Sequence, residues 1–97
     1  MSEEETPVGN KFDSGKLKYS LIPPSSTRAL ASVLTFGANK YEANNWKHVP
    51  NAKERYLDAA MRHLEAYRSG EILDKESELP HLHHLFTNIA FLIDFEA

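Results

Sequence analysis

Apolar residues recur at helical spacing in three stretches, separated by polar connections rich in Gly, Pro and Asn. Leu30, Val33, Leu34 and Tyr41, at offsets of three, four and eleven from the first, predict a first helix over about Ser26 to Glu42. Ser25 or Ser26 is its expected N-cap, because a serine hydroxyl satisfies a free backbone N–H there. Gly37 interrupts this helix at a cost of about 1 kcal/mol relative to alanine, which implies a close neighbour or a break. Asn44-Asn45 and Pro50-Asn51 bracket a loop holding Trp46 and His48. The second helix is expected from Ala52 to Ser69, with Leu57, Ala60, Met61 and Leu64 as its stripe, Tyr56, His63 and Tyr67 beside it, and Gly70 as its stop. Ser77 can cap a third helix that carries Pro80 in its first turn and runs to about Phe95. Its expected core stripe is Leu82, Leu85, Ile89, Leu92 and Ile93, and a separate polar stripe is His81, His84 and Asn88. Before the first helix, Asp13-Ser14-Gly15 is turn chemistry. Leu17 to Ile22 then alternates loosely until Pro23-Pro24, and reads as a short extended arm packed on the body.

The fold class implied is all-α: a small domain of about three helices with an irregular N-terminal arm. Residues 1–10 read as a flexible acidic tail and residues 11–97 as a single helical domain, since 97 residues support one core and not two. Phe86, Ile89, Phe91 and Ile93 surround the third helix with more apolar surface than one intramolecular contact consumes. Completion by homo-oligomerisation is therefore expected.

Charge and composition narrow the function classes. A formal net charge of −3 argues against a protein that grips nucleic acid by bulk electrostatics. With no cysteine, thiolate metal sites, disulfides and cysteine nucleophiles are excluded, so a metal would sit on His, carboxylate and water. Glu3, Glu4 and Glu5 stand where a secretory signal would be basic, and the longest apolar run, Ile89 to Ile93, is far short of the ~20 residues that cross a bilayer. The chain reads as cytoplasmic, without a membrane partner.

The chemistry-bearing residues gather late in the chain. His81, His83 and His84 are three of the five histidines, and helical spacing puts His81 and His84 on one face with His83 elsewhere. Asp74, Glu76 and Glu78 precede them closely enough to fold over the helix start. Asp74 is the stronger candidate because Ile72-Leu73 can anchor it, whereas Glu76 and Glu78 also suit a helix N-terminus as plain anions. His63 faces inward and needs a hydrogen-bond partner, which a carboxylate from the next loop would supply. Lys16, Lys40 and Arg62 are the cations expected near a phosphate, with Tyr41 and Trp46 as aromatic faces for a base. Gly15-Lys16 is not a phosphate loop, because Leu17 stands where the magnesium-binding Ser or Thr belongs.

Lys11-Phe12-Asp13-x-Gly15-Lys16, Leu21-Ile22-Pro23-Pro24, Phe36-Gly37-Ala38-x-Lys40-Tyr41, Asn45-Trp46, Arg62-His63-Leu64 and Asp74-x-Glu76-Ser77-x-x-Pro80-His81-Leu82-x-His84 occur in that order. Together they resemble a phage family, the dATP/dGTP diphosphohydrolase N-terminal domain, over Lys11 to Phe95. The resemblance implies a phage-encoded helical domain, in the host cytoplasm, that acts on purine deoxynucleotides. It further implies cleavage of a deoxynucleoside triphosphate to monophosphate and pyrophosphate with Mg or Mn. Glu78 departs from the family pattern, where glycine is expected. The signature of related all-α pyrophosphohydrolases, a Glu-x-x-Glu pair on one helix and a Glu-x-x-Asp pair on the next, is not found on the expected helices.

Under the enzyme reading, His63, Asp74 and Glu76 are catalytic and Asp74, His81 and His84 hold the metal. Lys16, Lys40, Tyr41, Asn45, Trp46 and Arg62 bind the nucleotide. A second reading needs no metal: a nucleotide-binding sponge that sequesters a nucleotide or a cyclic-nucleotide defence signal. A third is a helical interaction module whose histidines and carboxylates form a solvated face.

Overall fold

The computed structural model describes residues 9–97, so most of the expected acidic tail lies outside the described residues. Three helices dominate: α1 (Pro24–Lys40), α2 (Ala52–Arg68) and α3 (His81–Glu96). Helix α3 lies at the centre and packs against both α1 and α2. Its antiparallel register against α2 is fixed at one end by His63 and His81, and at the other by Lys53 and Glu96, 3.3 Å apart. The buried apolar residues are Ala29 of α1 and Ala60 of α2, whose small side chains let both helices approach closely. Among the described residues the one sheet-like pairing is an isolated bridge between Leu73 and Pro80. No helix there is long and apolar enough to cross a membrane.

The element boundaries depart from the sequence expectation where proline intervenes. Helix α1 starts at Pro24, two residues before the expected Ser26. Pro23 is its N-cap and no side chain caps it. Proline at the first helical position costs nothing, because its missing N–H is one that no intrahelical carbonyl would accept. Pro80 is the N-cap of α3, one residue before the helix and not in its first turn as expected, so Ser77 is not the cap. Gly70 does end α2: at φ +102° it lets Gly70 N–H bond the Tyr67 carbonyl and Glu71 N–H the Ala66 carbonyl, both at 3.0 Å. Helix α1 runs straight through Gly37, which meets neither a neighbour nor a break. A Cβ built there would touch nothing within 4 Å. The expected extended arm is instead a single 3-10 turn at Tyr19–Leu21, and Leu17, Tyr19 and Leu21 are exposed rather than packed on the body.

The largest correction concerns α3. Of the expected core stripe, Leu82, Ile89 and Ile93 are exposed, Ile93 by 64%. The polar stripe is buried in its place: His81 is 5% exposed and Asn88 7%, with His84 and Thr87 alongside. On α2, likewise, Leu57, Met61 and Leu64 face solvent. Periodicity shows that two stripes exist on opposite faces of a helix, but not which of them meets its neighbours.

Aromatic packing fastens the connection between α1 and α2. Trp46, in a 3-10 turn over Asn45–His48, stacks on Phe91 with centroids 4.3 Å apart and planes 14° apart, and meets Phe95 edge-on at 5.6 Å. Tyr56 closes the cluster against Phe91 at 4.9 Å. Asn44 makes the entry turn possible at φ +65°, a conformation asparagine adopts more readily than most residues.

Candidate active site

The loop from Glu71 to Pro80 carries Asp74 to the start of α3. The Ile72 carbonyl accepts from His81 N–H and the Leu79 carbonyl accepts from Asp74 N–H, each at 2.8 Å. Within this hairpin Asp74 Oδ2 accepts from Ser77 N–H at 2.9 Å, Glu76 N–H at 3.1 Å and Ser77 Oγ–H at 3.1 Å. Glu78 sits at φ +61°, the left-handed region where glycine costs least. The loop therefore turns as a glycine-bearing loop would, despite the glutamate.

Three imidazoles meet this carboxylate. His63, from the middle of α2, lies parallel to His84 with centroids 4.6 Å apart, and its Nδ1 is 2.8 Å from His81 Nδ1. Ser77 donates to Asp74, so Ser77 Oγ accepts from His84 Nε2–H at 2.6 Å. The result is a relay from His84 through Ser77 to Asp74. His81 Nε2 is buried without a hydrogen-bond partner, and Glu71 Oε2 stands off at 3.6 Å. One ring nitrogen each from His63 and His81 and a carboxylate oxygen of Asp74 all lie within 4.8 Å of one another, a spacing that can hold a metal ion.

The electrostatics keep this cluster in its ligand-competent form. Burial drives His63 down to about 4 from its usual 6.5, helped by the like charge that His84 would carry. Burial also lowers His84, against the pull of Asp74 and with the help of His81. Burial alone would raise Asp74, but hydrogen bonds from Ser77 and the nearby imidazoles outweigh it and hold the carboxyl below its normal value. Near neutral pH, therefore, His63 and His84 are neutral donors and Asp74 is an anion.

His63 and His84 also line an open groove of about 730 Å3 between α1, α2 and α3. Its floor follows α3 from His84 to Asp94, about 15 Å at 1.5 Å per residue. Four of the residues expected at a nucleotide, Lys40, Tyr41, Asn45 and Trp46, line it, as does Gly37. Lys40 pairs with Glu76, which fastens the end of α1 to the Asp74 loop, and this pairing raises the Lys40 pKa. Trp46 already has Phe91 on one face and Lys47 5.5 Å from its ring. Tyr41, 62% exposed, is the more open aromatic surface.

Not every expected site residue converges. Lys16 sits in a turn, its N–H on the Asp13 carbonyl, and lines neither this groove nor the next. Arg62 lines a second concavity of about 700 Å3 with Arg55 and His48, which shares Tyr41, Asn45 and Tyr56 with the first. The geometric trio uses His63 where the sequence pointed to His84, whose Nε2 is engaged by Ser77. Ser77 and Glu71 were not singled out from sequence as site residues. In sequence Ser77 reads as a helix cap, and nothing in the spacing places Glu71 beside His81.

The family model described as dATP/dGTP diphosphohydrolase, N-terminal, matches residues 6–97. A protein of Salmonella phage PMBT28 named dATP/dGTP diphosphohydrolase is 38% identical over 85 residues, which is 88% of this chain and 29% of that relative. The chain thus spans under a third of the relative's length. No solved structure matches it.

Proposed function

The chain belongs to the dATP/dGTP diphosphohydrolase N-terminal family, and from that premise we propose that it is a nucleotide-handling domain that hydrolyses a deoxynucleoside triphosphate to monophosphate and pyrophosphate with a divalent metal. The observation that carries this reading is the convergence of His63, Asp74 and His81 beside a groove lined by Lys40 and Tyr41. One clue speaks for a metal: His81 Nε2 is a buried ring nitrogen without a hydrogen-bond partner, while the facing Nδ1 atoms of His63 and His81 share an N–H···N hydrogen bond at 2.8 Å. A set of two imidazoles and one carboxylate suits manganese better than magnesium, which prefers oxygen throughout.

In this reading His63, His81 and Asp74 hold the ion, with His84 next to them. Once bound, the ion supplies Lewis acidity and charge neutralisation at the phosphates. The remaining work falls to the chain. Lys40 exchanges the Glu76 carboxylate for a phosphate oxygen, and the released Glu76 is then free to take a proton from water. The His84–Ser77–Asp74 relay holds His84 in the tautomer with its proton on Nε2. Tyr41 offers a stacking face for the base and Asn45 donor and acceptor groups for its edge.

A second reading rests on the 29% coverage of the phage relative: the groove captures a nucleotide, and cleavage belongs to parts of the relative outside the match. The two are separated by incubating the chain with dATP, dGTP, ribonucleotides and cyclic dinucleotides, with manganese or with chelator, and chromatographing the products. Monophosphate and pyrophosphate that form only with metal, and not in Asp74→Asn, are expected for the enzyme. Intact nucleotide that leaves the protein only on denaturation, with chelator present, would establish capture and remove the catalytic roles.

A further inference from the structure

The face of α3 opposite the histidines is apolar and uncovered. Leu82, Phe86, Ile89 and Ile93 repeat at steps of four, three and four, and Leu57, Met61 and Leu64 repeat likewise on α2. All seven side chains are between 41% and 64% exposed. None of them lines the groove, and the antiparallel register set by His63–His81 and Lys53–Glu96 runs the two stripes side by side. The molecule has turned its polar stripe inward and left its larger apolar side chains in water, the reverse of the usual distribution for a small monomer. Its accessible surface is 7760 Å2, against roughly 5,600 Å2 for a compact monomer of this mass. The exposed N-terminal arm, with Phe12, Leu17, Tyr19 and Leu21, supplies part of that excess.

We propose that this face is the interface of a homodimer, in which α3 packs antiparallel on α3 of a second copy about a two-fold axis between Phe86 and Ile89. Spacing and charge both point to a second copy. Steps of four, three and four are the seam spacing by which helices interdigitate with one another, and they read nearly the same in either direction, as a self-complementary two-fold contact requires. An antiparallel pair sets the acidic C-terminal turn of α3, with Asp94 and Glu96, against the partner's helix N-terminus, where negative charge is favoured. A parallel pair would set the acidic ends together. An anionic membrane surface fits poorly, since the whole chain carries −3. The dimer leaves both grooves facing outward, and the proposal does not rest on what they bind.

Light scattering on the eluting protein at tens of micromolar tests the stoichiometry, with twice the 11.0-kDa chain mass expected. Phe86→Glu, at an exposed position, is expected to elute as a monomer with its helical circular dichroism retained, while Lys75→Glu stays dimeric. Because the chain has no cysteine, Leu82→Cys and Ile93→Cys introduce unique thiols. Oxidised as a mixture, these variants are expected to form a disulfide-linked pair, and neither is expected to do so alone. A monomeric native chain would overturn the dimer, as would self-linking of each variant alone, which requires a parallel pair.

Discussion

Asp74 accepts three hydrogen bonds from its own loop while its carboxylate faces the imidazoles of α2 and α3, so its structural and chemical roles can be separated by substitution. Asp74→Ala removes acceptor and charge together and is expected to cost about 1–3 kcal/mol by leaving loop donors unpaired, read as a lower urea midpoint. Asp74→Asn keeps an acceptor oxygen and is expected to stay within about 1 kcal/mol of the parent, yet to lose at least tenfold in manganese affinity by calorimetry. His63 gives the pH dependence. Its folded pKa of about 4 lies below the unfolded 6.5, so between these values the unfolded chain binds the extra proton. Its contribution is fully present above about pH 6.5 and is lost as the pH falls toward 4. Asp74, also depressed, loses its share as the pH drops below the normal carboxylate range. The loss from His63 is expected to be about 1–2 kcal/mol, less than the full shift would supply, because the ring is only partly buried. His63→Phe is expected to flatten the stability profile between pH 6.5 and 4 in thermal melts.

Helix α1 and the Glu71–Pro80 loop each contain a residue at odds with its backbone. Gly37 is helical with open space where a Cβ would go, so Gly37→Ala is expected to raise stability by about 0.5–1 kcal/mol. The same methyl enters the groove, and weaker nucleotide retention is expected alongside the higher melting temperature. Glu78 holds φ +61° without being glycine, and Glu78→Gly is expected to stabilise by up to about 1 kcal/mol, the left-handed strain relieved less the added chain entropy. These elements also show what the sequence makes legible. The end of α2 at Gly70 can be read directly, because its signal is a local backbone constraint, whereas Pro80 marks the start of α3 only to within a turn. The inward-facing stripe of α3 cannot be read, since His81-His84-Asn88 and Leu82-Ile89-Ile93 have the same periodicity and only the neighbours decide between them. The His63–His81 contact likewise depends on the register of α2 against α3, whereas Asp74 and His81 are brought together by a loop short enough to foresee.

At the scale of the whole molecule, a polar seam runs through the centre, a groove opens on one side and an apolar face on the other. The seam explains how so small a chain keeps neutral imidazoles and an anion together: α1, α2 and α3 exclude water from the histidines while the Asp74 loop supplies hydrogen bonds. Trp46 joins the groove wall to α2 and α3, so Trp46→Ala is expected to cost about 2–3 kcal/mol and to raise amide exchange across Asn44–Asn51. The proposed metal site is tested most directly by recording the five histidine side chains by NMR during a manganese titration, with and without dATP, because the paramagnetic ion broadens the resonances nearest to it. Early loss of His63, His81 and His84 at substoichiometric manganese, with His48 retained, is the expected result. Uniform broadening of all five, or loss of His48 first, would contradict a metal-binding centre between α2, α3 and the Asp74 loop.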